Sequence, residues 1–505
     1  MPLNRNRLIL ILASALALGG FLIICNARAG IGFPLDDAWI HQTYARNLAD
    51  RGEWAFLPGQ PSAGSTAPLW SALLAVGHLV GGNPPYFWTY LLGGLCLASL
   101  ALSGQIAFNR LSRPAHPALP WVGLLLAVEW HLVWAAASGM ETILQALLSV
   151  ALFALLLRPA SPRLFFAAGA LVGFSAWVRP DGLTLIGPAL FAALLLPGPA
   201  RARLTRAGVT LAGFAVLFIP YLGFNLALAG ELWPNTFFAK QAEYAILIQQ
   251  PLCARLGSLA ALPLVGVGVT LLPGALYAVI KSTRRLLSAW RSASAIQPGD
   301  LVLLAMFLWW LGYTVIYALR LPVTYQHGRY LMPAMPVFFL LGLLGTVWLL
   351  SDLPLAQKWR RRLRFAVALT IAGVTLSFYA LGARSYSNDV AIIQTEMVQT
   401  AHWVAQNTPP DALVAAHDIG ALGYYADRQL VDLAGLISPE VIPFIRDETR
   451  LVAYLDERQV DYLVTFPGWY PQLIQNRPLL YTTGGLSAPA QGGENMAVYR
   501  WLLTP

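Results

Sequence analysis

A multi-pass α-helical membrane protein of about eleven spans, closed by a small C-terminal α/β domain on the outer face, is the fold class this sequence predicts. Three observations carry that reading. The 505 residues are 57% hydrophobic and only 11% charged, against about 25% charged in soluble chains. Apolar runs of membrane length recur along most of the chain. Basic residues fall on alternate connections between those runs, as the positive-inside rule requires.

The runs lie at about 8–25, 86–108, 118–136, 139–157, 164–178, 182–197, 207–229, 257–280, 300–319, 331–350 and 365–382. The first follows a basic start, Met1 to Arg7, but is long for a signal peptide, so it reads as a retained span. With the N-terminus in the cytoplasm, the inner segments hold Arg5, Arg7, Arg110, Arg113, Arg158, Arg163, Arg201, Arg203, Arg206, Lys281, Arg284, Arg285, Arg291, Lys358, Arg360, Arg361, Arg362 and Arg364. That is 18 of the 33 Lys and Arg. The formal charge of +9 is therefore an orientation signal, and no nucleic-acid partner is expected. Cys25, Cys96 and Cys253 are scattered without metal-ligand spacing, which argues against disulfide or zinc architecture.

The first outer loop, 26–85, holds the most informative stretch, Phe33-Pro34-Leu35-Asp36-Asp37-Ala38-Trp39-Ile40-His41. Two adjacent carboxylates beside a bilayer are costly, so they mark a functional site. Capping of a following helix needs only one of them. Residues 36–50 read as a helix lying along the membrane surface, with Ile40, Tyr44 and Leu48 on one stripe. His41 lies four residues from Asp37 on the same helical face. A turn-rich stretch at 59–68 leads to a short apolar helix at 69–80.

Later outer segments carry Glu141, Arg179-Pro180-Asp181, Asn235 to Lys240, and His327-Gly328-Arg329-Tyr330. Glu129, His131 and Glu141 flank the outer end of a helical hairpin and point to a polar cavity on that side. Arg179, Lys240 and Arg329 are outer cations suited to a membrane-level phosphate, arginine in bidentate fashion. Asp181 could equally be a structural partner of Arg179. His41, Glu141, Asp181, Asn235, His327 and Tyr330 are the further candidates for touching substrate or supporting the groups that do. Residues 384–505 change character, with 13 Asp and Glu against 7 Lys and Arg and no spanning run. Strands are predicted at 413–416, 429–433 and 462–466, with helices at 388–406 and 448–459. Residues 1–383 then form the membrane core and 384–505 the outer domain. The turn at His417-Asp418-Ile419-Gly420 is a weak ligand signal.

An acidic pair after the first span, many further spans and an outer α/β tail resemble the GT-C membrane glycosyltransferases, so the core is expected to be GT-C-like. Asp36-Asp37-Ala38-Trp39-Ile40, Tyr44-Ala45-Arg46-Asn47-Leu48 and Gly64-Ser65-Thr66-Ala67-Pro68-Leu69-Trp70 are similar to the bacterial arabinofuranosyltransferase-like branch. Pro234 to Lys240, Arg329 to Pro333, Asp418 to Tyr424 and Asp432 to Leu436 resemble segments of that branch or its relatives. The resemblance covers about 33–440, and the order of the motifs is its specific part. It implies transfer of a sugar from a polyprenyl-phosphate donor to an acceptor hydroxyl of a glycan, lipid or protein on the outer face. A first-loop aspartate is the implied base, with inversion at the anomeric carbon. Asp36 is the first choice and Asp37 the second. Lys240, Arg329 and Arg179 would meet the leaving phosphate. No cofactor is expected, and nothing in the sequence supports a divalent metal; many relatives with lipid-monophosphate donors need none. The rival class is a transporter or lipid flippase using the same acids as a path, but no internal repeat is visible. A sensor whose tail binds a wall fragment leaves the paired aspartates without a purpose.

Overall fold

The computed structural model describes residues 5–81, 86–112, 119–292 and 296–502. The end of the first outer loop at 82–85, the start of the third apolar run at 118 and the inner-loop Arg113 lie outside the described residues. The chain opens with α1 (Arg5–Ala29), then α2 (Asp37–Arg51), the hairpin β1 (Ala55–Leu57) and β2 (Gln60–Pro61), and α3 (Pro68–Val80). The helices α4 (Tyr86–Ser112), α5 (Trp121–Val128), α6 (Trp130–Ala137), α7 (Thr142–Leu156), α8 (Pro162–Val178), α9 (Ile186–Leu195) and α10 (Ala200–Ala229) follow. After them come α11 (Asn235–Glu243), α12 (Leu252–Ala261), α13 (Gly268–Arg291), α14 (Pro298–Arg320), the short turn α15 (Tyr325–Gly328), α16 (Met335–Asp352) and α17 (Gln357–Ile392).

Helical segments lie over all eleven predicted apolar runs. Among the described residues, six helices are long and apolar enough to cross a bilayer, or seven if the pair Leu252–Leu264 and Gly268–Arg291, bent by 108°, is one span. The count of eleven is not reached by length. Glu129 breaks one run into α5 and α6, and α7 and α8 have 15 and 17 residues. Leu16, Ile23, Val216, Ile219, Phe365 and Leu376 are exposed on the outer faces, where a water-soluble bundle would carry charge. This is a multi-pass membrane protein. Where α8 meets α10, a Cβ on Gly169 would stand 1.9 Å from the Thr210 carbonyl oxygen and one on Gly213 2.2 Å from that of Phe166. The small residues let the backbones touch, which replaces hydrophobic drive inside lipid.

The helix predicted at the membrane surface is instead enclosed. Most of α2 from Ala38 to Asn47 is buried, because α3 covers one side and the tail the other. The tail is entered without a break. α17 passes residue 383 in mid-helix, continues through a wide π-turn (Ile393–Val398) and ends as α18 (Gln399–Asn407). Glu396 in that turn is fully buried and accepts hydrogen bonds from Met496 N (2.9 Å) and Thr483 Oγ1, fastening the helix to the end of the chain. The three predicted strands are present as β3 (Leu413–Ala416), β4 (Gln429–Asp432) and β5 (Tyr462–Thr465), with α19 (Gly420–Tyr425) and α20 (Glu448–Glu457) between them. Two more, β6 (Leu479–Thr482) and β7 (Ala497–Arg500), extend the sheet to the order β4-β3-β5-β7-β6. β3 runs parallel to β4 and β5; β7 is antiparallel to β5 and β6.

Candidate functional site

The acidic pair divides because adjacent helical residues point about 100° apart. Asp36 makes no capping bond to its own helix. Its carboxylate reaches the tail and accepts from Gly420 N at 2.7 Å and Ala421 N at 2.8 Å, the first residues of α19. Burial, then the neighbouring Asp418 charge, push Asp36 up to about 8 against the pull of those two N–H groups. Asp36 thus ties the first loop to the tail, and both its oxygens are engaged. A Cβ on Gly420 would stand 2.1 Å from the Asp36 carbonyl oxygen, a backbone that cannot yield. Gly420→Ala is expected to cost about 1–3 kcal/mol through overpacking. Hydrogen-exchange mass spectrometry would read this as faster exchange over 420–425.

Asp37 faces the cations. Arg329 Nη2 lies 2.5 Å and Lys240 Nζ 3.6 Å from its Oδ2, and Oδ1 has no partner among the described residues. Burial alone would raise the Asp37 carboxyl, but Lys240 and Arg329 outweigh it and hold the group well below the usual carboxylate range. Lys240 is raised in turn, Asp37 overcoming burial. Arg329 is buried, donates through Nη2 to Tyr330 Oη (3.0 Å) and lies over the Tyr330 ring. Its Nε and Nη1 are buried without a hydrogen-bond partner. Such unmatched donors on a buried cation are costly unless a ligand completes them. Gln326 and His327, just before it, hold positive φ of 54° and 57°, a strained turn that swings Arg329 inward.

The remaining sequence candidates form supports. His41 does not bond Asp37. It sits 3.4 Å from Glu141 Oε2 through Nε2 and 2.9 Å from Ser71 Oγ through Nδ1, since α3 and the start of α7 pack on that face. Arg179 donates to Glu141 (2.9 Å), Asp181 (3.1 Å) and Tyr317 Oη (3.1 Å) through all three nitrogens. Asp181 also accepts from Tyr313 Oη at 2.5 Å and from Tyr317 Oη. Asp181 is therefore the structural partner of Arg179, the alternative left open by the sequence. His327 joins Asp389 at 2.8 Å. Asn235 Nδ2 donates to the Leu436 carbonyl oxygen of the tail at 3.3 Å. Glu129 and His131 pair with each other at 2.8 Å and are buried at the α5–α6 break, whereas Glu141, read with them from the sequence, lines a cavity. No group of three His, Cys, Asp or Glu among the described residues is placed to hold a metal ion.

Two cavities meet at Asp37, Lys240 and Arg329. One, of about 660 Å³, is walled by Trp233, Phe237, Phe238, Ile316 and Leu321, with Arg179, Arg320 and Tyr330 also on its lining. The other, of about 920 Å³, lies between the membrane helices and the tail and is lined by His417, Asp418, Glu243, Arg446 and Trp469 besides both aspartates. None of Glu243, Arg446 or Trp469 was singled out from sequence. His417 and Asp418 leave the carboxyl end of β3, where parallel sheets bind ligands, and that position was the signal available for them.

His417 also straps the tail to α11. Its Nδ1 is 2.7 Å from Tyr470 Oη and its Nε2 is 3.2 Å from Glu243 Oε1. Burial would lower His417, but the Glu243 bond and charge, with Asp418 and Asp432 nearby, raise it. Burial would raise Glu243, but His417, Lys240 and Arg446 take it down to about 2. A raised histidine stabilises fully below its unfolded value near 6.5, and that contribution is lost as pH rises through the folded value. Proteolysis at the α11–tail junction is expected to quicken above neutral pH, and His417→Gln should remove the dependence.

Comparison with known proteins places the fold. A family model described as "Domain of unknown function (DUF8728)" matches residues 385–499. No curated protein sequence matches the chain. Among solved structures, ArnT from Cupriavidus metallidurans bound to undecaprenyl phosphate is 16% identical with a TM-score of 0.59, covering 98% of each chain. The archaeal oligosaccharyltransferase AglB from Archaeoglobus fulgidus, in complex with an inhibitory peptide and a dolichol-phosphate, is 12% identical with a TM-score of 0.59, over 91% of this chain and 69% of that one. The arabinofuranosyltransferase AftD from Mycobacteria is 16% identical with a TM-score of 0.51, over 97% of this chain and 40% of that one. These neighbours are GT-C glycosyltransferases. The chain has their fold, as the resemblance read from its motifs implies.

Proposed function

We propose that the protein transfers a sugar from a polyprenyl-phosphate donor to an acceptor hydroxyl on the outer face of the membrane, with Asp37 as the proton acceptor. The observation that carries this reading is the meeting of an apolar and a polar cavity at one carboxylate held between two cations. The lipid and its phosphate suit the apolar cavity, with the phosphate at Lys240 and Arg329. The acceptor suits the polar one.

In this mechanism the acceptor oxygen attacks the anomeric carbon while the bond from that carbon to the phosphate oxygen breaks. The hydroxyl proton passes late to Asp37 Oδ1, since a carboxylate is too weak to remove it beforehand. The leaving phosphate keeps the bonding pair, and Lys240 and Arg329 stabilise the charge it gains. A single displacement inverts the anomeric centre. The incoming phosphate competes with Asp37 for both cations, so donor binding restores proton affinity to the base. Arg179, fully engaged by acids and tyrosines, stiffens the wall. Asp36 holds the tail over the site.

The outer-face assignment is supported by the ends of the helices. The site is built where α1, α8, α10 and α14 finish and α7 begins. The basic clusters lie where α10 and α17 start and α13 finishes. Orientation by positive charge puts those clusters inside. Purified protein given a sugar-charged polyprenyl phosphate and an acceptor extract is expected to release free polyprenyl phosphate and glycosylated product. A transporter or flippase would release neither, and that outcome would end this reading.

A further inference from the structure

The polar cavity carries six acids, Asp36, Asp37, Glu243, Asp389, Asp418 and Glu494, against three cations, Lys240, Arg329 and Arg446. Arg446 is matched to the Glu243 carboxylate and carbonyl oxygen, and Lys240 and Arg329, which meet Asp37, are the pair the transfer reading gives to the donor phosphate. The acids are matched too, with one exception. Asp36 accepts from α19, Glu243 meets His417, Asp389 accepts from Trp134 Nε1 at 2.9 Å, and Glu494 accepts from Gly468 N at 2.6 Å. Asp418 alone among them has no hydrogen bond or ion pair, although it is half-buried. Trp469, 45% exposed, lines the same cavity, tilted against Phe466 and edge-on to His417.

We infer that this cavity is the binding site of a neutral carbohydrate acceptor, with Asp418 taking hydrogen bonds from sugar hydroxyls and Trp469 covering an apolar sugar face. A carboxylate that keeps its full acceptor capacity is suited to neighbouring hydroxyls. A half-exposed tryptophan offers a flat apolar surface with a polar edge. The volume suits a short oligosaccharide, within the range of about 300–1,000 Å³ common to ligand pockets. A phosphorylated acceptor is disfavoured, because with Lys240 and Arg329 given to the donor phosphate the one other Lys or Arg on the described lining, Arg446, is paired with Glu243, and the unpaired acid would repel it. The inference rests on the transfer reading only in treating this cavity as the acceptor's.

The test is saturation-transfer NMR on the full chain in lipid nanodiscs, free of sugar-headed detergent. The probes are cellotriose, maltotriose, mannotriose and their singly phosphorylated forms. At least one neutral trisaccharide is expected to bind, and its phosphorylated form to bind about tenfold more weakly or not at all. Trp469→Ala and Asp418→Asn should each weaken the neutral probe by about tenfold or more, with Trp469→Phe recovering part of the loss. Melting temperatures check that the variants fold. Tighter binding of a phosphorylated probe, no binding of any neutral one, or unchanged binding in both variants overturns the inference. Binding of undecaprenyl phosphate to the wild type, followed separately, tells the two readings apart. Lipid bound without sugar leaves the transfer reading standing and removes this one. Sugar bound without lipid does the reverse.

Discussion

Asp37→Asn is expected to lower sugar transfer by about 10²–10⁴-fold, the usual contribution of a positioned base, while leaving lipid-phosphate binding intact or tighter. The two effects part because Asp37 has two duties. Its Oδ1 is the proposed proton acceptor, and its Oδ2 occupies Arg329 and Lys240. The amide keeps the shape, loses the basicity and releases the cations to the incoming phosphate. Undecaprenyl-phosphate affinity and single-turnover transfer, measured on the same preparation, should move in opposite directions. Full turnover in the variant would remove Asp37 from the chemistry. Asp36→Asn is the companion measurement: it should loosen the contact with α19 and reduce transfer indirectly, with faster exchange at Gly420 and Ala421.

Arg329→Ala should weaken lipid-phosphate binding by about tenfold to a hundredfold, as for loss of a hydrogen bond to a charged group worth about 1.5–3 kcal/mol. A further loss of about 10²–10³ in turnover is expected, because the phosphate is most charged as it leaves. The guanidinium has two buried donors without a partner among the described residues, and the proposed donor phosphate would meet them. Arg179→Ala is the contrast. Its nitrogens already meet Glu141, Asp181 and Tyr317, and its removal leaves buried carboxylates without their cation. That variant should lose several degrees of melting temperature before it loses donor affinity. If the two arginines exchanged these behaviours, the phosphate would have been put on the wrong side of Tyr330.

Much of this arrangement could be read before any coordinates. Apolar run length and basic alternation locate the helical segments, and the acidic doublet with its three outer cations names most of the site. What could not be read is which member of the doublet faces which neighbour. The turn from Asp36 to Asp37 is local, but the Gly420 amide lies 384 residues away in sequence from the carboxylate it meets. The same limit hid the enclosure of α2, whose apolar stripe predicts one covered face and says nothing of a tail settling on the other. β6 escaped because Leu479–Thr482 is mostly exposed at the sheet edge, and β7 because Ala497–Arg500 is a short, almost wholly buried strand; neither shows the alternation that marks a half-buried strand. Trp469 and Arg446 sit in tail segments without any motif, and only the packing of the tail brings them to the cavity that Lys240 also lines.

The unbroken rod from Gln357 to Asn407 spans 51 residues, roughly 75 Å at the rise of an α-helix. Its first half lies along the outside of the bundle, largely exposed, and its far end runs on into the domain that carries the sheet. On the transfer reading, a helix continuous with the tail sets the height of the opening between bundle and sheet through which an acceptor enters from the side.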